Sequence, residues 1–270
     1  MNGRFGLVVA LALAALLALP LAWVVLASLS PEHVLFGSGG LGIGGLSLDH
    51  YASLFARQNF WVPIRNSLVV ASATTLCCLV IGSGAAYALA RLEFPGRGAV
   101  LGAVLAVSMF PQISIVQPLY ALLRSVGLID TYPGLVLPYL TFALPLTVWL
   151  LVSYFRQLPS EIEQAAMIDG ASRMRVLVSI VLPLSLPGIV SSGIVAFIYC
   201  WNEFLFALSF TVGPDRQTVP VAVAFLRGRH QVPWGEVFAA TVVATAPVVA
   251  LVLAFQRRIV EGLASGAVKS

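Results

Sequence analysis

A chain of 270 residues that is 59% hydrophobic and only 10% charged, with a mean hydropathy of +0.96, is not an ordinary soluble domain, which carries about 25% charged residues. The formal net charge of +4 would suggest nucleic acid in a soluble protein, but in a membrane protein basic residues gather in the loops on one side of the bilayer. The composition implies an all-α polytopic membrane protein.

Phe5 to Ser30 is uncharged and follows Arg4. It is long enough to cross about 30 Å of hydrocarbon and exceeds the apolar core of a cleaved signal, which runs to about 15 residues. It therefore reads as transmembrane helix 1, with small residues near Ala27 leaving signal cleavage as the alternative. The connection from Pro31 to Pro63 is glycine-rich between Gly37 and Gly45, and Leu46 to Phe55 is patterned as a short amphipathic helix. His33 and His50, in this connection, read as surface residues rather than ligands.

Asn66 to Ala90 is helix 2, and its small run Gly82, Ser83, Gly84, Ala85 and Ala86 lets a neighbouring helix approach closely. A charged loop of Arg91, Glu93 and Arg97 turns at Pro95 and Gly96. Gly98 to Leu123 is uncharged but broken by Pro111 and Pro118: helix 3 runs to about Pro111, and an irregular or short helical segment follows over Gln112 to Tyr120. Such breaks are tolerated at membrane depth where protein or a water-filled cavity satisfies the freed backbone groups. Helix 4 runs from Thr131 to Phe155 and helix 5 from Val176 to Trp201, kinked or started by Pro183 and Pro187. A long loop, Gly213 to Trp234, carries Asp215, Arg216, Arg227, Arg229 and His230, and precedes helix 6, Val237 to Gln256, and a tail. Cys77, Cys78 and Cys200 lie in apolar runs without metal-ligand spacing and read as packing residues.

Six spans put both termini on one side. Arg4, Arg91, Arg97, Arg156, Arg173, Arg175, Arg257, Arg258 and Lys269 fall on that side, against Arg57, Arg65, Arg124, Arg216, Arg227 and Arg229 opposite. The short loops carry the bias, so the termini are expected in the cytoplasm. The stretch from Pro159 to Pro183, between helices 4 and 5, is then cytoplasmic too. Ser160 and Glu163 have capping-box spacing and predict a helix start; Gly170 is placed to end that helix in the left-handed geometry; Ser172 can cap the next helix, which carries Arg173 and Arg175. Taken alone, these signals also describe an ordinary capped loop helix.

The spacing through this stretch resembles the signature of the membrane subunits of binding-protein-dependent ABC importers: Glu-Ala-Ala, three residues, Gly, nine residues, Ile-x-Leu-Pro. Ala165 and Ala166, Gly170, Ile180, Leu182 and Pro183 occupy those places, while Gln164 stands where the family usually has Glu, with Glu163 just before it. The segments SLDHYASLF, RNSL at Arg65 to Leu68, ARLEFPG, WNEF and the tail QRRIVEGLASGAVK also resemble the carbohydrate-importer branch, closest in look to trehalose- or maltose-type permeases, and the resemblance covers nearly the whole chain. It implies one type I transmembrane domain over residues 1–270, six transmembrane helices with a cytoplasmic coupling helix between helices 4 and 5, in a bacterial inner membrane. The coupling residues would be Glu163, Gln164, Ala165, Ala166, Asp169 and Gly170, docked on an ATPase subunit. The tail residues Gly262, Gly266 and Lys269 would approach the ATPase pair, and part of Gly213 to Trp234 would meet an extracytoplasmic sugar-binding protein. A second, homologous permease subunit would complete the translocation pathway.

The chain itself shows no catalytic constellation. Its only lysine is Lys269, so no Gly-x-x-x-x-Gly-Lys phosphate loop exists; no cofactor is expected on this chain, and ATP and Mg would be used by partner subunits. Glu203 is the acid nearest an apolar interior, and with Asn202, Gln112, Gln117 and Tyr120 it is a candidate for a sugar pathway; an ionisable residue at membrane depth is a functional candidate by default. The alternatives are an importer permease for a non-sugar solute, an ion-gradient-driven secondary transporter, which would carry more paired acids or broken helices at mid-membrane, and a membrane-embedded enzyme.

Overall fold

The computed structural model describes residues 3–35, 45–226 and 232–267, with side chains described for 5–32, 34–35, 45–226 and 232–256. Among these residues the elements are helices, with no strand. In chain order they are α1 (Gly3–Leu29), α2 (Glu32–Leu35), α3 (Asp49–Ala56), α4 (Trp61–Arg91), α5 (Arg97–Ser108), α6 (Gln112–Ser125), α7 (Tyr132–Phe155), α8 (Ser160–Ile168) and α9 (Arg173–Val176). A π-helical segment (Leu177–Val181) then leads to α10 (Leu182–Leu184), α11 (Leu186–Trp201) and α12 (Leu205–Phe210). A 3₁₀ turn (Pro214–Arg216), α13 (Val219–Ala224) and α14 (Trp234–Ala267) follow. Four helices, α1, α4, α7 and α14, are long and apolar enough to cross a membrane unaided. Two bent pairs, α5 with α6 and α9–α10 with α11, bring the count to six when each pair is one span.

Both bends have a local cause. Pro111 precedes α6 in extended geometry (φ −62°, ψ 117°), and the pair turns by 88° there. Pro187 has no N–H to offer the carbonyl of Pro183, and the second pair turns by 80° at Ser185. The π-helical turn just before this break was not legible in the sequence. Helix 2 begins at Trp61, ahead of the expected Asn66, because Pro63 falls in the first turn, where its missing N–H costs nothing. The long loop after α12 is partly helical, through the 3₁₀ turn and α13; its residues 227–231, with Arg227, Arg229 and His230, lie outside the described residues, as does 36–44 in the first connection.

The chain divides into two compact units. The first holds residues 1–62 and 222–247. Here α1 leaves its apolar side chains exposed along its length, and only its foot is buried, at Ala27 and Ser28. The Ser28 hydroxyl donates to the Val25 carbonyl (2.7 Å), so Tyr51 from α3 must be the donor in the 2.7 Å Ser28–Tyr51 bond. His50 is half-buried rather than a free surface residue: its ring nitrogen lies 3.0 Å from the Ser30 carbonyl, and a Cβ on Gly235 would fall 2.2 Å from the ring. Glycine is what admits the imidazole. Ser53 closes α3 onto α14 by donating to Glu236 at 2.6 Å.

The second unit, residues 63–221 and 248–270, holds the candidate site. Its core joins Ala86 and Leu89 of α4, Val148, Leu151, Val152 and Phe155 of α7, and Val176, Leu177 and Val181 at the start of the fifth span. Glycines set the close approaches, as the small run in α4 predicts: Gly82 sits against Thr147 and Leu151, and a Cβ on Gly188 of α11 would meet the Tyr154 ring at 2.4 Å. Cys78 and Cys200 are buried and free, Cys77 half-buried. Thr131 caps α7 by accepting from Gly134 N (3.1 Å).

At Gly134 an added Cβ would stand 1.9 Å from the Leu128 carbonyl oxygen, a backbone atom, whereas at Gly102 it would meet nothing within 4 Å. Gly134→Ala should therefore destabilise the chain by ~1–3 kcal/mol, the usual range for overpacking, while Gly102→Ala should not. Thermal melting of the two variants in detergent checks this, and matching midpoints would contradict it.

Candidate functional site

The stretch between α7 and α9 forms the short helix and turn that its sequence predicts. The chain leaves Pro159 in extended geometry and enters α8 at once, with Asp169 as the last half-turn. Gly170 adopts φ +88°, the left-handed stop expected of it. Ala171 N donates to Ala166 O (2.9 Å) and Gly170 N to Met167 O (3.1 Å), the paired bonds of a Schellman motif. Ser172 caps α9 as expected, accepting from Arg175 N at 3.3 Å.

The capping box does not form. Ser160 is already helical, Pro159 occupies the cap position, and no side chain caps the helix. Glu163 turns inward to Arg91, the last residue of α4, where Nε donates to Oε1 at 2.6 Å. A charge-assisted bond to guanidinium is roughly twice as strong as a neutral one, so the ion pair outcompetes a return to the helix's own N–H groups. The second arm of Arg91 donates to the Leu158 carbonyl at 2.7 Å, just before α8. The pair is nearly dry, with side-chain exposures of 14% for Arg91 and 6% for Glu163. The buried hydroxyl of Tyr87, one turn earlier on α4, lies near the same carboxylate but outside hydrogen-bond geometry. Removing one partner of such a pair strands a charge, at a cost of ~3–5 kcal/mol.

With Glu163 turned in, the outward face of α8 is Ile162, Ala165 and Ile168, with Gln164, Asp169 and Gly170 also exposed. Ala166 is half-buried against the core instead of sharing that face equally. Ile168 is 86% exposed, a large apolar side chain left in the open at the end of a short helix. Sequence reasoning missed it; the available signal was its three-residue step from Ala165 and six from Ile162.

At the opposite end of α4, a second polar cluster pins the loop after α12. Asn66 is fully buried and donates to the carbonyls of Asp215 and Gln217, both at 2.9 Å, while its own oxygen accepts from the Tyr132 hydroxyl at 2.8 Å. Ser67 accepts from Val219 N at 2.8 Å, and the Arg216 guanidinium lies 4.5 Å from the centre of the Tyr132 ring.

The pathway candidates scatter. Glu203 is buried and spends both oxygens on the start of α12, accepting from Phe206 N (2.8 Å) and Ala207 N (3.1 Å). The buried hydroxyl of Tyr139 is close by but outside hydrogen-bond geometry. Asn202 is exposed and donates to Ile198 O of its own helix (2.8 Å). Gln112 donates to the Tyr199 hydroxyl, joining α6 to α11, Tyr120 faces Phe210 at 6.4 Å between ring centres, and Gln117 is exposed. Of the tail residues, Gly262 and Gly266 belong to the backbone of α14, and Lys269 lies outside the described residues. Among the described residues no group of three potential ligands is placed to hold a metal ion.

Residues 78–265 match the family described as "Binding-protein-dependent transport system inner membrane component". The chain belongs to that family. The matched range takes in α8, its clamp on Arg91 and most of the tail. The chain of this inner membrane component is 44% identical over 253 residues to the trehalose transport system permease protein SugB of Mycobacterium tuberculosis, covering 93% of this chain and 92% of that one. It is 42% identical over 253 residues to the trehalose/maltose transport system permease protein MalG of Thermococcus litoralis, covering 93% and 91%. Its fold is similar to that of a bacterial ABC transporter involved in the import of the acidic polysaccharide alginate, with a TM-score of 0.77 at 19% identity over 94% of this chain and 96% of the other.

The Glu203 cap yields a test. Glu203→Ala leaves two buried N–H groups unpaired and should destabilise the protein by ~1–3 kcal/mol, while Glu203→Gln keeps one acceptor and should lose less. Melting curves of the two variants in detergent check this ordering; equal stability of Glu203→Ala and the parent would remove the capping role.

Proposed function

We propose that this chain is the membrane-spanning permease subunit of an ATP-driven sugar importer, forming half of a translocation pathway. The observation that carries the reading is the apolar face of α8, Ile162, Ala165 and Ile168, held outward by a helix whose acid is pinned inward. A short helix bearing exposed apolar side chains beside a bilayer-spanning bundle is what a soluble partner needs in order to grip it. In this reading that partner is an ATPase subunit, one of a pair that uses ATP and Mg, and α8 and both termini are cytoplasmic. Gln164 in place of the family's usual Glu leaves the contact at that position neutral. Gly262, Gly266 and Lys269 of the tail approach the same ATPase pair.

The bundle has a second, homologous permease subunit as its neighbour, and an extracytoplasmic binding protein docks on the loop after α12. Docking outside and ATP binding inside together favour an outward-open state, and hydrolysis resets the inward-open one; such coupling requires that each ligand bind the two states unequally. The substrate is a sugar, in the narrower reading a disaccharide such as trehalose or maltose. The named substrates of the relatives support this, as do the Gln112–Tyr199 pair and the half-buried Tyr120, which are the side-chain types that meet sugar hydroxyls and ring faces. An ion-driven carrier is less well supported, because the carboxylate that would serve it, Glu203, already accepts two backbone N–H groups.

The experiment is purification of the tagged chain in detergent with identification of the proteins that accompany it. Burying an isoleucine side chain contributes ~1.5–3 kcal/mol, so Ile168→Asp should weaken ATPase association about tenfold or more while leaving the chain folded, since the residue is exposed. Gln164→Glu should be tolerated. If ATP-hydrolysing subunits never accompany the parent chain, or if Ile168→Asp retains them at full strength, the reading fails.

A further inference from the structure

Among the spans, α4 alone runs unbroken by proline beyond its first turn: Pro20 lies inside α1, Pro138 and Pro145 inside α7, Pro247 inside α14, and the other two spans are bent pairs. Polar side chains at both of its ends grip segments far away in sequence. At one end Arg91 holds Glu163 and the Leu158 carbonyl, and so fixes α8. At the other, Asn66 and Ser67 hold Asp215, Gln217 and Val219 by the backbone, and so fix the loop after α12. At 1.5 Å per residue the two grips stand roughly 37 Å apart along one helix.

From this arrangement we infer that α4 is a strut that carries displacement of the coupling helix to the loop at the opposite face, with Arg91 and Asn66 as its positioning residues. The alternatives along the chain are softer. Motion entering α9 meets the π-helical turn and the 80° bend at Ser185. Motion entering α7 must pass the turn at residues 156–159 and two prolines. Flexible turns and bent helices absorb displacement, while a continuous helix resists compression along its hydrogen-bonded axis. The weak point of α4 is Gly82-Ser83-Gly84, since such small-residue runs are where helices kink; there Gly82 is braced against Thr147 and Leu151 of α7. Asn66 uses its whole amide within the protein, with two donated bonds to the loop and accepted ones from the Tyr132 hydroxyl and the Arg65 guanidinium, so it has no remaining capacity for a solute.

The inference rests on the proposed docking of α8 on an ATPase, and the test keeps the two apart. In the assembled complex in proteoliposomes, with Cys77, Cys78 and Cys200 replaced by serine or alanine, Asp215→Cys places a thiol on the exposed side of the gripped loop without disturbing its carbonyl. Its rate of maleimide labelling is read with and without ATP and vanadate, which trap the nucleotide state. Otherwise unmodified complex should show a change of about fivefold or more, the lower range of allosteric coupling. Arg91→Gln should abolish that change, Asn66→Ala should abolish it from the far end, and the exchange Arg91→Glu with Glu163→Arg should restore part of it, because the ion pair re-forms while the Leu158 carbonyl loses its donor. Should Arg91→Gln fail to assemble, Asn66→Ala decides, because it lies at the opposite end of the helix from the docking face. Retention of the nucleotide response in Asn66→Ala, or no response in the unmodified loop while ATPase subunits are bound, overturns the strut. Failure of ATPase subunits to bind the parent chain overturns the docking itself and the strut with it.

Discussion

In hydrocarbon every backbone N–H and C=O must find its partner inside the protein, and this constraint accounts for most of what the chain does. It makes the spans helical. It also decides where the few polar side chains go, because each place where a helix stops leaves carbonyls or N–H groups to be satisfied. Arg91 takes the Leu158 carbonyl where α7 has ended and α8 has not begun. Glu203 takes the free N–H groups of α12, and Asn66 takes two carbonyls of the loop that follows. Several serine and threonine hydroxyls within the helices bond back to carbonyls three or four residues earlier, as Thr147 does to Ala143. A protein with 10% charged residues has little polarity to spare, and Arg91, Glu203 and Asn66 direct theirs to backbone groups at helix starts or in the connections between helices.

The same constraint explains the contrast between the two faces of α8. Its acid is turned into the protein because a buried guanidinium waits there, and its isoleucines are turned out because the core behind the helix is already filled by α4, α7 and the start of the fifth span. An apolar surface of this kind is costly to leave bare in water.

Much of this was legible in the residues. Runs free of charge located the spans, Pro111 and Pro187 located the two bends, and Gly170 and Ser172 located the stop and the next start within a residue. The signature spacing placed a short helix where α8 lies. What escaped was tertiary. Glu163 has the spacing of a capping residue, and nothing within three residues of it announces a guanidinium 72 positions earlier. Glu203 looked like a pathway acid because an acid near an apolar run is expensive; its cost is met by backbone amides that exist only once α12 has formed. His50 looked like a surface residue because its pocket depends on a glycine, Gly235, far along the chain. The π-helical turn has no residue signature, being a choice of hydrogen-bond register imposed by packing.

The distance in sequence between Arg91 and Glu163 has a consequence for how the chain is made. A ribosome finishes α4 long before it reaches Glu163, so for that interval the guanidinium lacks the acid that holds it in the folded protein. A bare cation resists entering lipid, and it anchors that end of the helix at the aqueous boundary while the later spans are still being threaded. When Glu163 arrives, the same group is neutralised and drawn into the protein. The joint between α4 and α8 is therefore one that only a chain made past Glu163 can close.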